Sequence, residues 1–396
     1  MAVQQTLRPY VTAGIAIVGS GLIAATPVVT PMADVPTLRD VALTADGGLP
    51  DLLAPWTAVF NQASENLSTL SQNFFLAPWV GLQQMLANQG NLWQQILDDP
   101  STIPAVMQQF QHNLDAVMTG YTLINASGGA DINEGFTGTI GQVILHTISG
   151  TDINSPTPAF GHDLLFALLP QFLPADQSDL LTPIINFLAS PLSGIIMGQL
   201  GPMIAPWVAM MNAIQDGDSF NQIMASWTDG YLNGATLNLD SLIPLIEQSG
   251  LLPMPPGTIT HLEFAFGGLL TPGDVASGPW EVAGENGDIV ASVPAVGGSI
   301  FNSLGLDLNA EALLGLPLQI SIAGQGVGPI AAMEAWSQTV GTLLGSGWDG
   351  KDPIVVTPPG AGIDFPTVPD GLFDDGGAGD AAASDWFTDL IAALGS

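Results

Sequence analysis

The chain of 396 residues is 47% hydrophobic and only 10% charged, with a mean hydropathy of +0.39, whereas about a quarter of a soluble domain is charged. Its 36 carboxylates meet three cations, Arg8, Arg39 and Lys351, so the formal net charge is -33 and residues 40–350 hold no Lys or Arg. That balance excludes nucleic acid as a partner and polybasic attraction to anionic lipid. It also forbids most internal ion pairs, so the carboxylates must face water, metal ions or a hydrated lumen.

Cysteine is absent, which removes disulfides without naming a compartment. Arg8 precedes an apolar run from Val11 to Thr30 that Pro27 and Pro31 interrupt, the layout of a secretory signal. Ile23 and Pro31 occupy the minus-three positions of the two candidate cleavage sites, Ala25 and Ala33. Residues 1–33 are therefore read as a signal peptide or an uncleaved N-terminal anchor.

Residues 34–127 carry helical spacing. Trp56, Phe60, Ala63, Leu67 and Leu70 form one series, Trp79, Leu82, Leu86, Trp93 and Ile96 a second, and Val106, Phe110, Leu114, Val117 and Tyr121 a third that follows Pro104. Three amphipathic helices are predicted. Leu53-Ala54-Pro55-Trp56 returns as Leu76-Ala77-Pro78-Trp79 and as Ile204-Ala205-Pro206-Trp207. Proline is favoured in a helix's first turn, so each copy predicts a helix entry, its Trp either packed just inside or placed at a membrane interface.

Residues 128–230 read as a mixed region. "FTGTIGQVILHTISG" alternates loosely and predicts a strand or hairpin. Leu180 to Gln215 holds no charged residue, but Pro183, Pro191, Pro202 and Pro206 divide it, predicting short buried helices or a re-entrant hairpin. Gly194 and Gly198 form a GxxxG, a close-approach signal where the segment is helical in lipid.

Over 231–349 strands are predicted. "THLEFAF" sets Leu262, Phe264 and Phe266 against His261, Glu263 and Ala265, "LPLQISIAG" alternates cleanly, and "WEVAGENGDIVASV" reads as a hairpin. "GPIAAMEAWSQTVGTLLG" predicts a helix. Residues 350–396, rich in Pro, Gly, Ala and Asp, read as a flexible acidic tail with a short terminal helix, "DWFTDLIAALG". The fold class expected is α+β, with a helical N-terminal half containing short, Pro-interrupted apolar helices and a Gly-rich, β-containing C-terminal part.

Signatures of catalysis and cofactor binding are missing. No Gly-x-Ser-x-Gly occurs, and His112, His146, His162 and His261 form no HxH, HxxxH or HExxH. Asp216-Gly217-Asp218-Ser219 opens like an EF-hand but lacks the later ligands, and Gly376 to Asp380 misplaces its Asp for a Gly-rich calcium repeat. Neither an enzyme nor a cofactor or metal site is expected.

"LRPYVTAGIAIVGSGLIAATPV", "RDVALTA", "GGSIFNSLGLDL" and "GQGVGPI" resemble exported cell-envelope proteins of mycolic-acid bacteria, in particular the outer-membrane porin family of the type described from Gordonia. The motifs are local and compositional, and no functional residue transfers. The resemblance implies a cation-preferring channel for small hydrophilic solutes in the outer mycolate layer, homo-oligomeric because six or so short strands cannot close a barrel alone. His261 and Glu263 are its candidate pore-lining residues, or else a solvated sheet face. The alternative is an exported or secreted envelope protein that binds lipid or protein without a channel. Trp207, inside the uncharged stretch, is the candidate contact with lipid or a neighbouring subunit.

Overall fold

The computed structural model describes residues 49–345 apart from 77, 132–134, 153–158, 174–175, 250–254, 277–279, 284–288, 310 and 312–318. The signal or anchor and the acidic tail lie outside the described residues. The helices are α1 (Leu49–Leu76), α2 (Val80–Asp98), α3 (Ile103–Thr122), α4 (Gly138–Ile144), α5 (His162–Leu168), α6 (Ser178–Leu188), α7 (Pro191–Gln215), α8 (Phe220–Asn233), α9 (Ile243–Ser249) and α10 (Pro329–Leu344). The strands are β1 (Gly129–Asp131), β2 (Gly135–Thr137), β3 (Ala235–Asn238), β4 (Ile259–Phe266), β5 (Trp280–Ala283), β6 (Ile289–Val293), β7 (Leu304–Asn309) and β8 (Gln319–Ile322). The fold is α+β, with long helices first and the sheet later.

The three predicted helices form, as α1, α2 and α3. Only one Pro-Trp is a helix entry, however. Trp79 stands immediately before α2 in the left-handed region, at φ 54°, and its ring meets Phe74 edge-on at 5.3 Å. Pro55 and Pro206 instead lie inside α1 and α7. The turns upstream hold Pro50 in α1 and Gly198, Gly201 and Pro202 in α7, so tertiary packing rather than propensity carries each helix through its proline.

The prolines also fail to cut the uncharged stretch as expected. Pro191 begins α7, where it suits the first turn, and Ser190 caps the helix by accepting from the Ser193 amide at 3.2 Å. The helix then runs unbroken through Pro202 and Pro206 for 25 residues. Each interior proline removes a backbone hydrogen bond at a cost of about 3 kcal/mol, so packing must hold α7 together. "FTGTIGQVILHTISG" is a second difference: it yields only the short β2, and α4 follows. Buried Ile140, Val143 and Ile144 recur at helical spacing there.

Strands β3-β4-β7-β8 make an antiparallel four-stranded sheet in that order, and β1-β2 and β5-β6 form separate hairpins. Leu262 pairs with Leu306, Leu306 with Ile322, and Leu308 with Ile320. This apolar face shares one core with Val143 and Ile144 of α4, Leu165 and Phe166 of α5, and Phe301. A smaller core joins Leu70, Met197, Val296, Val327 and Ala331 beneath α1, α7 and α10.

Without Lys or Arg, helices are joined by amides rather than ion pairs. Along the α1–α8 contact, Trp56 Nε1 donates to Asn221 Oδ1 at 3.0 Å, Asn66 Nδ2 to Asn233 Oδ1 at 3.1 Å, and Asn233 Nδ2 to the Val59 carbonyl at 3.0 Å. Gln338 of α10 donates to Asn73 of α1 at 2.7 Å, and Asn73 donates in turn to the Pro294 carbonyl at 3.2 Å. Neutral hydrogen bonds avoid the desolvation that a buried ion pair would incur.

Candidate functional site

Two features of the structure coincide with the residues singled out from the sequence. The first is the outward face of a helical layer in which α8 packs against both α7 and α1. These helices carry only three charged residues, Asp51, Glu65 and Asp229, and no cation.

Helix α7 is two-faced in an unusual sense. Its inward face sets small residues, Gly194, Gly198, Gly201 and Ala205, beside buried Met197 and Val208. A Cβ on Gly194 would stand 2.2 Å from the Gly298 carbonyl oxygen, one on Gly198 2.9 Å from that of Gly328, and one on Gly201 2.2 Å from that of Gly267. Gly230 of α8 presses equally closely on the Ala205 carbonyl. The GxxxG is thus spent inside the molecule, against loop backbone.

The outward face of α7 carries the bulk: Ile196, Leu200, Met203, Trp207, Met211 and Ile214, spaced three or four apart. Met203 is 69% exposed and Trp207 57% exposed. A helix of a water-soluble domain normally turns its bulky apolar stripe inward. Alongside, α8 exposes Phe220, Met224 and Tyr231, and α1 exposes Leu53, Phe60 and Leu67. Trp227 and Tyr231 stack with their rings 5° from parallel. By length and composition α7 is also the one helix among the described residues apolar enough to cross a membrane.

The ends of α7 fix how it can approach an apolar phase. Its start is sealed in the protein, with Ser190, Pro191 and Ser193 buried, and Ser193 Oγ accepts from the Ile300 amide at 3.2 Å. Its far end leads through Asp216-Gly217-Asp218 into α8, whose Ser219 and Gln222 form a capping box. One end is thus buried in protein and the other is an acidic turn, which suits a helix lying along an interface.

The second feature is the polar face of the sheet. His261 and Glu263 project from the face of β4 opposite the core, and His261 lies in register with Asp307 of β7. His261 Nδ1 is 2.8 Å from Asp240 Oδ1, and its Nε2 is 3.4 Å from Glu263 Oε2. Each carboxylate is held by backbone too: Asp240 Oδ1 accepts from the Leu262 amide and Glu263 Oε1 from the Gly324 amide, both at 2.9 Å. Burial disfavours the charged imidazole, but the Glu263 hydrogen bond and the nearby Asp240 charge outweigh it, and the His261 pKa rises above its usual value. Backbone and Asn238 hydrogen bonds hold Asp240 below the ordinary carboxylate range. The arrangement clamps the short 3-10 turn Asp240–Leu242 and the loop at Gly324 to β4, and these are the ion pairs found among the described residues.

Sequence reasoning missed a buried pair. His162 Nε2 donates to the Leu304 carbonyl at 2.7 Å, which leaves Nδ1 to accept from Ser149 Oγ, also at 2.7 Å. Burial drives the His162 pKa down to about 4, partly offset by the Leu304 bond and the Asp163 charge, so the ring is neutral. A serine hydroxyl aimed at imidazole is a nucleophile–base pairing in hydrolases. Here the ring is 0% and Ser149 7% exposed, so the pair serves as a brace between the Ser149 loop and β7. The 13-residue separation of Ser149 and His162 matches no motif.

Glu334 of α10 was also unforeseen. Its Oε2 is sealed from solvent with no hydrogen-bond partner among the described residues, as is Oε1 of Gln338 one turn later. Burial raises the Glu334 pKa well above the usual carboxylate value. The described residues contain no cluster of three or more His, Cys, Asp or Glu that could hold a metal ion. Comparison with known proteins matches no family, no curated protein and no solved structure.

Proposed function

We propose that this is an exported cell-envelope protein that lays the α1–α7–α8 layer flat on a lipid surface, and that its function is interaction there rather than catalysis. One observation carries the reading: α7 buries glycines and exposes Met203, Trp207 and Met211. Burying one such side chain contributes about 1.5–3 kcal/mol, so the stripe supplies ample affinity without a crossing helix. Export rests on the N-terminal run and the envelope resemblance. Flotation of the full chain with lipid vesicles tests the proposal. Co-flotation that weakens when Met203 and Trp207 become serine supports it, and failure to float with any vesicle overturns it.

A second reading is the cation-preferring porin implied by the resemblance. The observation favouring it is the solvent-facing row of Glu263 and Asp307 around His261, in a chain with no Lys or Arg between residues 40 and 350. Such a row would hold a negative potential and concentrate cations in a lumen. The sheet is open and its longest strand has eight residues, so several chains would build the pore. Single-channel recording across a salt gradient tests this: cation-selective steps support it, and anion preference or no conductance above lipid alone overturns it.

A further inference from the structure

The charge distribution around the lipid-facing layer carries the proposal one step further, and this step rests on that reading. From Ile196 to Ile214 the outward stripe of α7 runs about 27 Å. Along it the exposed polar side chains are the Gln199 amide and the Trp207 indole, and the rest of the row is Ile, Leu and Met. A hydrocarbon phase takes up such a face with few polar groups to desolvate.

What borders the stripe decides which lipid. Proteins that bind anionic membranes set Lys and Arg beside their apolar face. Here residues 40–350 contain neither, and the charges carried by α1, α7, α8 and the turn joining α7 to α8 (Asp51, Glu65, Asp216, Asp218 and Asp229) are all negative. Lying flat, α7 brings that turn to the level of the headgroups, where an anionic surface repels it. We propose that the partner of the α7 face is an electrically neutral lipid surface, and that the carboxylates around it act as a filter against anionic lipid.

The signature is a salt dependence opposite to that of polybasic proteins. Two effective negative charges in a surface potential of about −30 mV weaken binding about tenfold. Raising salt from about 0.01 M to about 1 M shortens the screening length from about 30 Å to about 3 Å and removes the penalty. The full chain is titrated with phosphatidylcholine vesicles and with vesicles containing about one-third phosphatidylglycerol, at both salt concentrations. Salt-insensitive binding to the neutral vesicles, with about tenfold weaker low-salt binding to the anionic ones that recovers in high salt, supports the proposal.

Equal or tighter binding to anionic vesicles at low salt overturns the charge filter while leaving lipid docking intact. Neutral-vesicle binding unchanged in the Met203→Ser/Trp207→Ser variant assigns the interaction to another apolar surface, the N-terminal run or the exposed Met107, Phe110 and Leu114 of α3, and overturns the role of α7. Binding to neither vesicle, with self-association that the same variant abolishes, makes the face a contact between copies and overturns both readings. Both substituted positions are exposed, so matching unfolding midpoints are expected for variant and parent.

Discussion

Substituting alanine for Gly201 tests which way α7 faces. In an ordinary exposed helix interior Gly→Ala stabilises by about 1 kcal/mol, because glycine loses the most backbone entropy on folding. Here the added Cβ would stand 2.2 Å from the Gly267 carbonyl oxygen and 3.1 Å from its carbon. Both are backbone atoms with no rotamer to change, so α7 or the 267–268 loop must move by more than half an ångström to restore contact distance. Overpacking of this kind costs about 1–3 kcal/mol, which outweighs the propensity gain. At about 2–4 °C per kcal/mol for a chain of a few hundred residues, the unfolding midpoint falls by several degrees. The companion substitution is Met203→Ala, two positions on and 69% exposed. Surface changes of that kind stay within about 0.5 kcal/mol, although Met→Ala in a core costs about 2–5 kcal/mol. Urea unfolding followed by circular dichroism reads both. A more stable Gly201→Ala protein together with a strongly destabilised Met203→Ala protein would reverse the faces and refute the reasoning.

Two of the shifted ionisable groups, His261 and Glu334, both make stability fall as pH rises. The folded pKa of His261 is raised, so its contribution is fully present below about pH 6.5 and is lost as pH rises through the raised value. His261→Gln should narrow the stability gap to the parent over that window; a pH-independent gap in urea midpoint would contradict the clamp. The raised folded pKa of Glu334 has the same sign, with stability present at acidic pH and lost as pH rises through it. Glu334→Gln keeps a neutral side chain, so the variant gains on the parent as pH increases, and parallel pH profiles in thermal unfolding would count against a buried, protonated carboxyl. Ser149→Ala removes the partner of His162 Nδ1 and should cost about 1–3 kcal/mol in urea unfolding, whereas an unchanged midpoint would mean that the brace does not bear on stability.

Much of the fold could be read locally. Helices α1 to α3 and α10 followed from apolar spacing, and β4 and β8 from strict alternation, because in these segments pattern and tertiary environment agree. Proline was the main source of error. Pro202 and Pro206 reduce helix propensity, but what holds α7 together is backbone-close packing of Gly194, Gly198 and Gly201 against loops about 65–130 residues away in sequence. The site was half legible. His261 and Glu263 were placed on the polar strand face by alternation, and Trp207 by the uncharged stretch around it. Asp240 completes the His261 clamp from a 3-10 turn, and the Ser149–His162 contact joins a loop to a helix start. Neither proximity leaves a period or a motif in the chain.

The most direct test of the lipid-facing stripe exploits the absence of cysteine. Single variants Met203→Cys, Trp207→Cys, Met211→Cys and, on the sheet, Thr260→Cys, all at exposed positions and each carrying an environment-sensitive fluorophore, report which positions enter an apolar phase when neutral vesicles are added. Docking through α7 gives blue-shifted, quencher-protected emission at Met203→Cys, Trp207→Cys and Met211→Cys, with Thr260→Cys unmoved by lipid. Equal protection at all four positions, or protection greatest at Thr260→Cys, would contradict it.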